Sequence, residues 1–246
     1  MKSGLVSNVQ AWIINLASLL VFLFFITPVT LIHSMNWLNP PLTSFMLSQK
    51  ASNPQSSVQY EWKSWDEMSV STPLAIIAAK DQHFSTRPGF DVNQLKHVLR
   101  TQPLDSSIHE TSAISQQTAK NLFLWSDQIA WGGLESWLTF LLESSLDKQR
   151  ILEIYLNIAE FSPGVYGIEA ASQKFFYKPA SKLSENESAL LATILLAPRP
   201  YNSTTPSALF EQRQRWVMNE MKALDQVAFI HEFAEDGKNS TYVNLF

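Results

Sequence analysis

The chain has 246 residues, 46% of them apolar, a formal net charge of −4 and no cysteine. That is enough material for one membrane segment and one globular domain with a sizeable core, and too little for a second such domain. The weak charge and the lack of any long basic run argue against a nucleic-acid partner, and the missing cysteines exclude disulfides, thiol catalysis and cysteine-bound metal.

From Ser3 to Gln49 there is no Asp, Glu, Lys or Arg. Within that window Ala11–Ile32 is apolar and exceeds the ~20 residues needed to cross a bilayer. A transmembrane helix is therefore predicted over residues 11–33, after a cytoplasmic segment of residues 1–10. The competing reading is a cleaved signal peptide, which needs a shorter apolar run and a small-residue cleavage site; HSMNWLNPP offers none. Lys2 favours a cytoplasmic start, so the rest of the chain is expected outside the cytoplasmic membrane, with Trp12 and Trp37 as interface anchors.

Residues 34–58 mix apolar residues with Pro, Ser and Asn and read as a membrane-proximal linker or a short amphipathic piece. The domain is placed at residues 59–225 and a weakly patterned tail at residues 226–246. Thr72 and Pro73 suit the N-cap and first turn of a helix reaching about His83, with Lys80 in its last turn. A loop at Arg87, Pro88 and Gly89 precedes a second helix near Val92–Leu99. Ser112 is expected to cap a helix to about Leu124, with Ile114, Ala119, Leu122 and Phe123 inward. Leu134–Glu160 carries a long helical period with a break near Ser144–Lys148. Ser184 and Glu187 form a capping box before ALLATILLA, Pro198 and Pro200 end that helix, and Phe210–Leu224 makes a last one. Little reads as strand, so the fold class is mainly α.

Three stretches carry a resemblance: AAKDQHFSTRPGFD (Ala78 to Asp91), SAISQQTAKNLFLW (Ser112 to Trp125) and KQRILEIYLNIAEFSPGVYGIEAAS (Lys148 to Ser172). Together they resemble the monofunctional peptidoglycan glycosyltransferases of bacterial cell walls, glycosyltransferase family 51. The resemblance implies a lysozyme-like, two-lobed helical domain with a cleft and a hexosyltransferase reaction that polymerises lipid II in cell-wall biogenesis. In that reaction the 4-hydroxyl of an incoming disaccharide attacks the anomeric carbon of the growing glycan and undecaprenyl pyrophosphate leaves. It needs a base for the hydroxyl proton and cationic groups for the pyrophosphate. The resemblance also implies lipid II or a nascent glycan strand as ligand, the membrane and cell-wall synthesis or division proteins as partners, and Mg2+ or another divalent cation with the pyrophosphate; no metal ligand is legible in the sequence.

The family's first motif is E-D-x-x-F-x-x-H-x-G-x-D, led by the catalytic base. Here Asp81, Phe84, Gly89 and Asp91 match, while Lys80 stands at the base and Arg87 at the histidine. A lysine base would need its pKa to fall from ~10.4 to near 7, roughly 3 units or ~4 kcal/mol. Asp81 and Glu135 are expected to raise it instead, which leaves Lys80 an ammonium. The second motif retains Ser112, Ile114, Ser115, Gln116, Gln117, Lys120 and Asn121, which the resemblance assigns to sugar and pyrophosphate binding, with Glu110, Thr111 and Ala113 as departures. For Gln116, Gln117 and Lys120 the plain alternative is a solvated helix face. The third motif, R-K-x-x-E, reads Trp131, Gly132, Gly133, Leu134, Glu135: the second carboxylate survives and both cations are gone.

The fourth and fifth motifs are close to complete. In the family Tyr155 and Asn157 organise a helix end, and Gly164 and Gly167 allow close backbone approach. Lys148 and Arg150 read equally as surface charges, and Lys174 and Lys178 either as phosphate neighbours or as solvated lysines. The expectation is a family member whose polymerisation is lost or greatly reduced because of Lys80, with lipid II or partner binding retained. The alternatives are a working transferase with His83 or Asp81 as base, and a lysozyme-like hydrolase built on Glu135.

Overall fold

The computed structural model describes residues 2–53, 57–82, 84, 113–125, 132–196 and 208–225. The expected features at His83, Arg87, Val92–Leu99, Ser112, Trp131, Pro198, Pro200 and residues 226–246 lie outside them.

The apolar N-terminus is helical from end to end: α1 (Lys2–Val21), a π-helical stretch Phe22–Ile26, then α2 (Thr27–Ser34). Of this, Ala11–Ser34 is long and apolar enough to cross a membrane. The π stretch has a local cause. Pro28 has no N–H to offer the carbonyl one turn back, and Thr27 N–H bonds instead to Phe22 O. The widened turn carries Phe24 and Phe25, whose rings pack on Trp137 at centroid distances of 6.5 and 5.5 Å. The apolar helix is thereby fastened to the domain.

In the linker, Thr43 caps α3 (Ser44–Ser52) by accepting from Met46 N. Strand β1 (Gln59–Tyr60) pairs in parallel with β3 (Val165–Tyr166), which pairs antiparallel with β2 (Glu160–Ser162). Everything else of regular structure among the described residues is helix: α4 (Ser71–Lys80), α5 (Ala113–Phe123), α6 (Gly132–Ser145), α7 (Lys148–Ile158), α8 (Ile168–Phe176), α9 (Glu185–Leu196), α10 (Ala208–Asp225) and short 3-10 turns. The domain is mainly α.

Two helices form the middle. Thr72–Ala79 of α4 and Ile151–Ile158 of α7 are buried throughout, so they are covered on all sides, by α9 and α10 on α4 and by α5 on α7. Helix α4 starts two residues before the expected Pro73 and lacks a side-chain cap. Thr72 is inside it because the local hydroxyls are used across the fold: Ser71 Oγ lies 2.9 Å and Thr72 Oγ1 3.3 Å from Ser188 Oγ of α9, and Ser69 Oγ donates to Leu183 O. The expected break after α6 falls at Leu146 and Asp147, where the Asp147 carboxylate accepts from Arg150 N at 2.6 Å. The capping box at Ser184 and Glu187 is formed.

Gly167 and Gly164 sit at φ +82° and +78°. A Cβ on Gly167 would stand 2.4 Å from Asn157 O, and one on Gly164 2.7 Å from Ser57 O. Both glycines are thus required for backbone contact as well as for φ. Asn157, fully buried, ties α7 to the segment before α4: its amide donates to Lys63 O and Glu153 O and its oxygen accepts from Lys63 N, each at 2.8 Å.

Arg150 is no ordinary surface charge. Its guanidinium donates to Met35 O (2.7 Å), Leu38 O (3.2 Å) and Asn39 Oδ1 (2.7 Å), pairs with Glu153 at 2.8 Å and covers the Trp62 ring. One planar donor set holds the chain where it leaves the apolar helix.

Candidate active site

Helix α4 delivers Lys80 as its last residue, where a cation suits the negative end of the helix dipole. Helix α5 buries Ile114, Ser115, Thr118, Ala119 and Leu122 against α6 and α7, which turns Gln116, Gln117 and Lys120 to its other face. Helix α6 carries Glu135 in its first turn, the favoured end for a carboxylate. Helices α3, α5 and α6 and strand β2 form an open cleft of about 410 Å³ lined by Phe45, Gln116, Gln117, Lys120, Asn121, Glu135 and Glu160.

Five residues singled out in the sequence, Gln116, Gln117, Lys120, Asn121 and Glu135, therefore meet in one cleft. Lys80 reaches its wall from behind: Nζ donates to Gln117 Oε1 at 2.9 Å and stands 5.8 Å from the centre of the Tyr155 ring. The buried Tyr155 hydroxyl donates to the same oxygen at 3.3 Å. Asp81 is buried beside Lys80, its N–H closing the helix on Ile77 O at 2.9 Å, and is not part of the cleft lining.

Burial pushes the Lys80 amine down to about 8. That corrects the expected direction: burial outweighs any attraction to Asp81 or Glu135, because the amine's hydrogen-bond acceptor is a neutral amide. At pH 7 the group is still about nine-tenths protonated, one unit below its pKa. Tyr155 is pushed up, also by burial.

Residues 47–222 match the transglycosylase family. The chain belongs to that family. Its similarity to curated transglycosylases runs over most of the chain. It is 38% identical to the biosynthetic peptidoglycan transglycosylase of Shewanella oneidensis over 225 residues, covering 90% of this chain and 95% of the relative. The protein of that name from Mannheimia succiniciproducens is 40% identical over 221 residues, 87% and 86% of the two chains. The one from Escherichia coli is 45% identical over 179 residues, 72% and 74%.

Three residues escaped the sequence reading, two in the cleft and one behind it. Glu160 lines the cleft, with its Oε1 accepting from Gln49 Nε2 at 3.1 Å and Gly164 N at 3.0 Å. Its signal was present, a lone carboxylate three residues past the YLN run. Phe45 lies in the linker, where composition hid it. Glu143, which is outside the cleft, accepts from both Ser115 Oγ and Lys148 Nζ. It joins α5, α6 and α7 behind the binding face, and Lys148 also covers the Phe84 ring at 4.8 Å. Lys148 is thus a structural partner rather than a free surface charge. Lys178 pairs with Glu187 at 2.6 Å and Lys174 donates to Ser162 Oγ at 2.9 Å. Among the described residues no three His, Cys, Asp or Glu side chains gather to hold a metal ion.

Proposed function

We propose that this chain is a membrane-anchored transglycosylase-family protein that keeps a cleft for lipid II or a glycan strand and has lost, or nearly lost, the ability to polymerise it. The observation that carries this is Lys80. It occupies the position of the family's base and donates to Gln117 Oε1. A general base must accept a proton from the attacking hydroxyl, and a group that is mostly ammonium at neutral pH has no lone pair to offer. The departures at Trp131 and Gly132 point the same way, since the family pattern has an arginine and a lysine there for the pyrophosphate. Retained binding draws its support from Gln116, Gln117, Lys120, Asn121 and Glu135 sharing one cleft.

The apolar helix at Ala11–Ser34 fits a single membrane anchor, and Lys2 on its N-terminal flank favours a cytoplasmic N-terminus and a periplasmic domain. In that arrangement the cleft lies on the periplasmic side of the membrane, the side on which a lipid-linked sugar would be used. The test uses the full chain in detergent with labelled lipid II: binding without glycan product is expected, and polymerisation at the rate of the Escherichia coli relative would sink the proposal.

A second reading, a working transferase with a substitute base, draws on Asp81, a buried carboxylate next to Lys80, and on His83, three residues after Lys80 in sequence. Any product formed by the wild type should then vanish in Asp81→Ala or His83→Ala protein; product that survives both removes this reading.

A further inference from the structure

The largely buried Lys80 has only uncharged partners among the described residues. Its Nζ donates to Gln117 Oε1 at 2.9 Å and lies 5.8 Å from the centre of the Tyr155 ring, whose hydroxyl donates to the same oxygen at 3.3 Å. Three carboxylates belong to the elements around it. Asp81 follows it in the chain, Glu135 lies in the cleft that Gln117 lines, and Glu220 of α10 accepts from Gln82 at 3.0 Å. Among the described residues none of the three forms an ion pair with Lys80.

A buried ammonium without a counter-charge is unfavourable, and releasing its proton relieves it. With its pKa pushed down to about 8, Lys80 is about half free amine at pH 8, whereas an ordinary lysine is then only about 0.3% free. A desolvated lysine with its lone pair exposed is a nucleophile. Size limits what it can attack. Lys80 meets the cleft through Gln117 and is not itself part of the lining. A sugar or a peptide is too bulky to pass that side chain, whereas CO2 has three atoms and no charge.

We propose that Lys80 is a modification site for CO2, forming a reversible carbamate that Gln117 and Tyr155 hold. The Nζ lone pair bonds to the carbon of CO2, one C–O π pair moves onto oxygen, and the nitrogen sheds a proton to water. A neutral amine and CO2 thus become a carboxylate and a proton. Both neighbours suit the product. The Tyr155 hydroxyl can donate to a carboxylate as it does to Gln117, and the Gln117 carboxamide, turned over, offers Nε2. Lys120, three residues beyond Gln117 and hence on the same face of α5, adds a cation to that side, against the opposing charges of Asp81, Glu135 and Glu220. With Lys80 an ammonium, Gln117 Oε1 is held towards it and Nε2 is left for the cleft; with Lys80 a carbamate, that order reverses. Uptake of CO2 therefore changes both the charge behind the cleft wall and the hydrogen-bonding group the wall presents. This goes beyond the proposed function and does not depend on lipid II binding.

The test is carbon-13 NMR of the full chain in detergent with labelled bicarbonate at pH 8, on wild type, Lys80→Met and Gln117→Glu, each shown to be folded by a thermal melt. The α-amino group also forms a carbamate and gives a resonance common to all three. Wild type should add a second carbamate resonance. That resonance should be lost in Lys80→Met, lost at pH 6, where the amine is protonated, and lost in urea, which returns Lys80 to an ordinary exposed lysine. Gln117→Glu leaves the amine in place but sets a carboxylate against it, which keeps it charged and repels the carbamate, so the resonance should fall at least about fivefold. No resonance beyond that of the α-amino group, or one that survives Lys80→Met, persists in urea or is undiminished in Gln117→Glu, would overturn the proposal.

Discussion

Replacing Lys80 with methionine should stabilise the protein at neutral pH, because it removes a charge that the fold holds out of water. The amine falls from 10.5 to about 8 through burial, which corresponds to a cost of about 3 kcal/mol for keeping it charged. Methionine is of similar length and apolar, but it forfeits the bond to Gln117 Oε1, worth about 1–2 kcal/mol. The net gain is then about 1–2 kcal/mol at pH 7, or about 2–8 °C in melting temperature for a domain of this size. The sign follows from proton counts. Below pH 8 the amine is charged in both folded and unfolded states and the full cost is present. Between pH 8 and 10.5 the unfolded chain holds a proton that the folded chain has released, so wild-type stability rises with pH and the gap to the variant closes. Thermal melts of both proteins in one detergent at pH 7 and pH 10 measure the gap. A variant less stable than wild type at pH 7, or a gap that is the same at both pH values, would refute this description of Lys80.

Other outcomes follow from particular contacts. Gly167→Ala should cost more than about 2 kcal/mol in thermal melts, since φ +82° and a Cβ 2.4 Å from Asn157 O cannot both be accommodated, whereas Gly133→Ala, with nothing within 4 Å of the new Cβ, should be neutral or stabilising by up to about 1 kcal/mol. Glu143→Ala removes the acceptor for the Lys148 ammonium among α5, α6 and α7 and should destabilise by about 3 kcal/mol; adding Lys148→Met should recover part of that loss, and additive losses would show that the pair is not coupled. Arg150→Ala frees Met35 O, Leu38 O and Asn39, and limited proteolysis should cut the segment after the apolar helix faster; an unchanged cleavage rate would mean that Arg150 does not hold it.

The helices were legible because their signals are local. The Asp147 break, the Ser184 and Glu187 box and the buried stripe of α5 depend on residues within a turn or two of one another. What stayed hidden depends on partners far along the chain. Thr72 looks like a cap until Ser188 engages its hydroxyl, and Arg150 looks solvated until Met35 to Asn39 return to it. Glu160 joins the cleft with Gln49, in the linker, as a partner. The π stretch at Phe22–Ile26 had a visible cause in Pro28, but its use, seating Phe24 and Phe25 on Trp137, needed α6 in place. For Lys80 the sequence exposed the mismatch and misjudged the field. Neighbouring carboxylates are easy to list from a sequence, whereas burial belongs to the assembled fold.

The most direct measurement is lipid II polymerisation by wild-type protein and by Lys80→Glu side by side, with glycan strands resolved by electrophoresis. Wild type is expected to yield no strands, or only traces, while still binding lipid II. Strands from the wild type at a rate comparable to the Escherichia coli relative would contradict the assignment of Lys80 as the residue that silences the site.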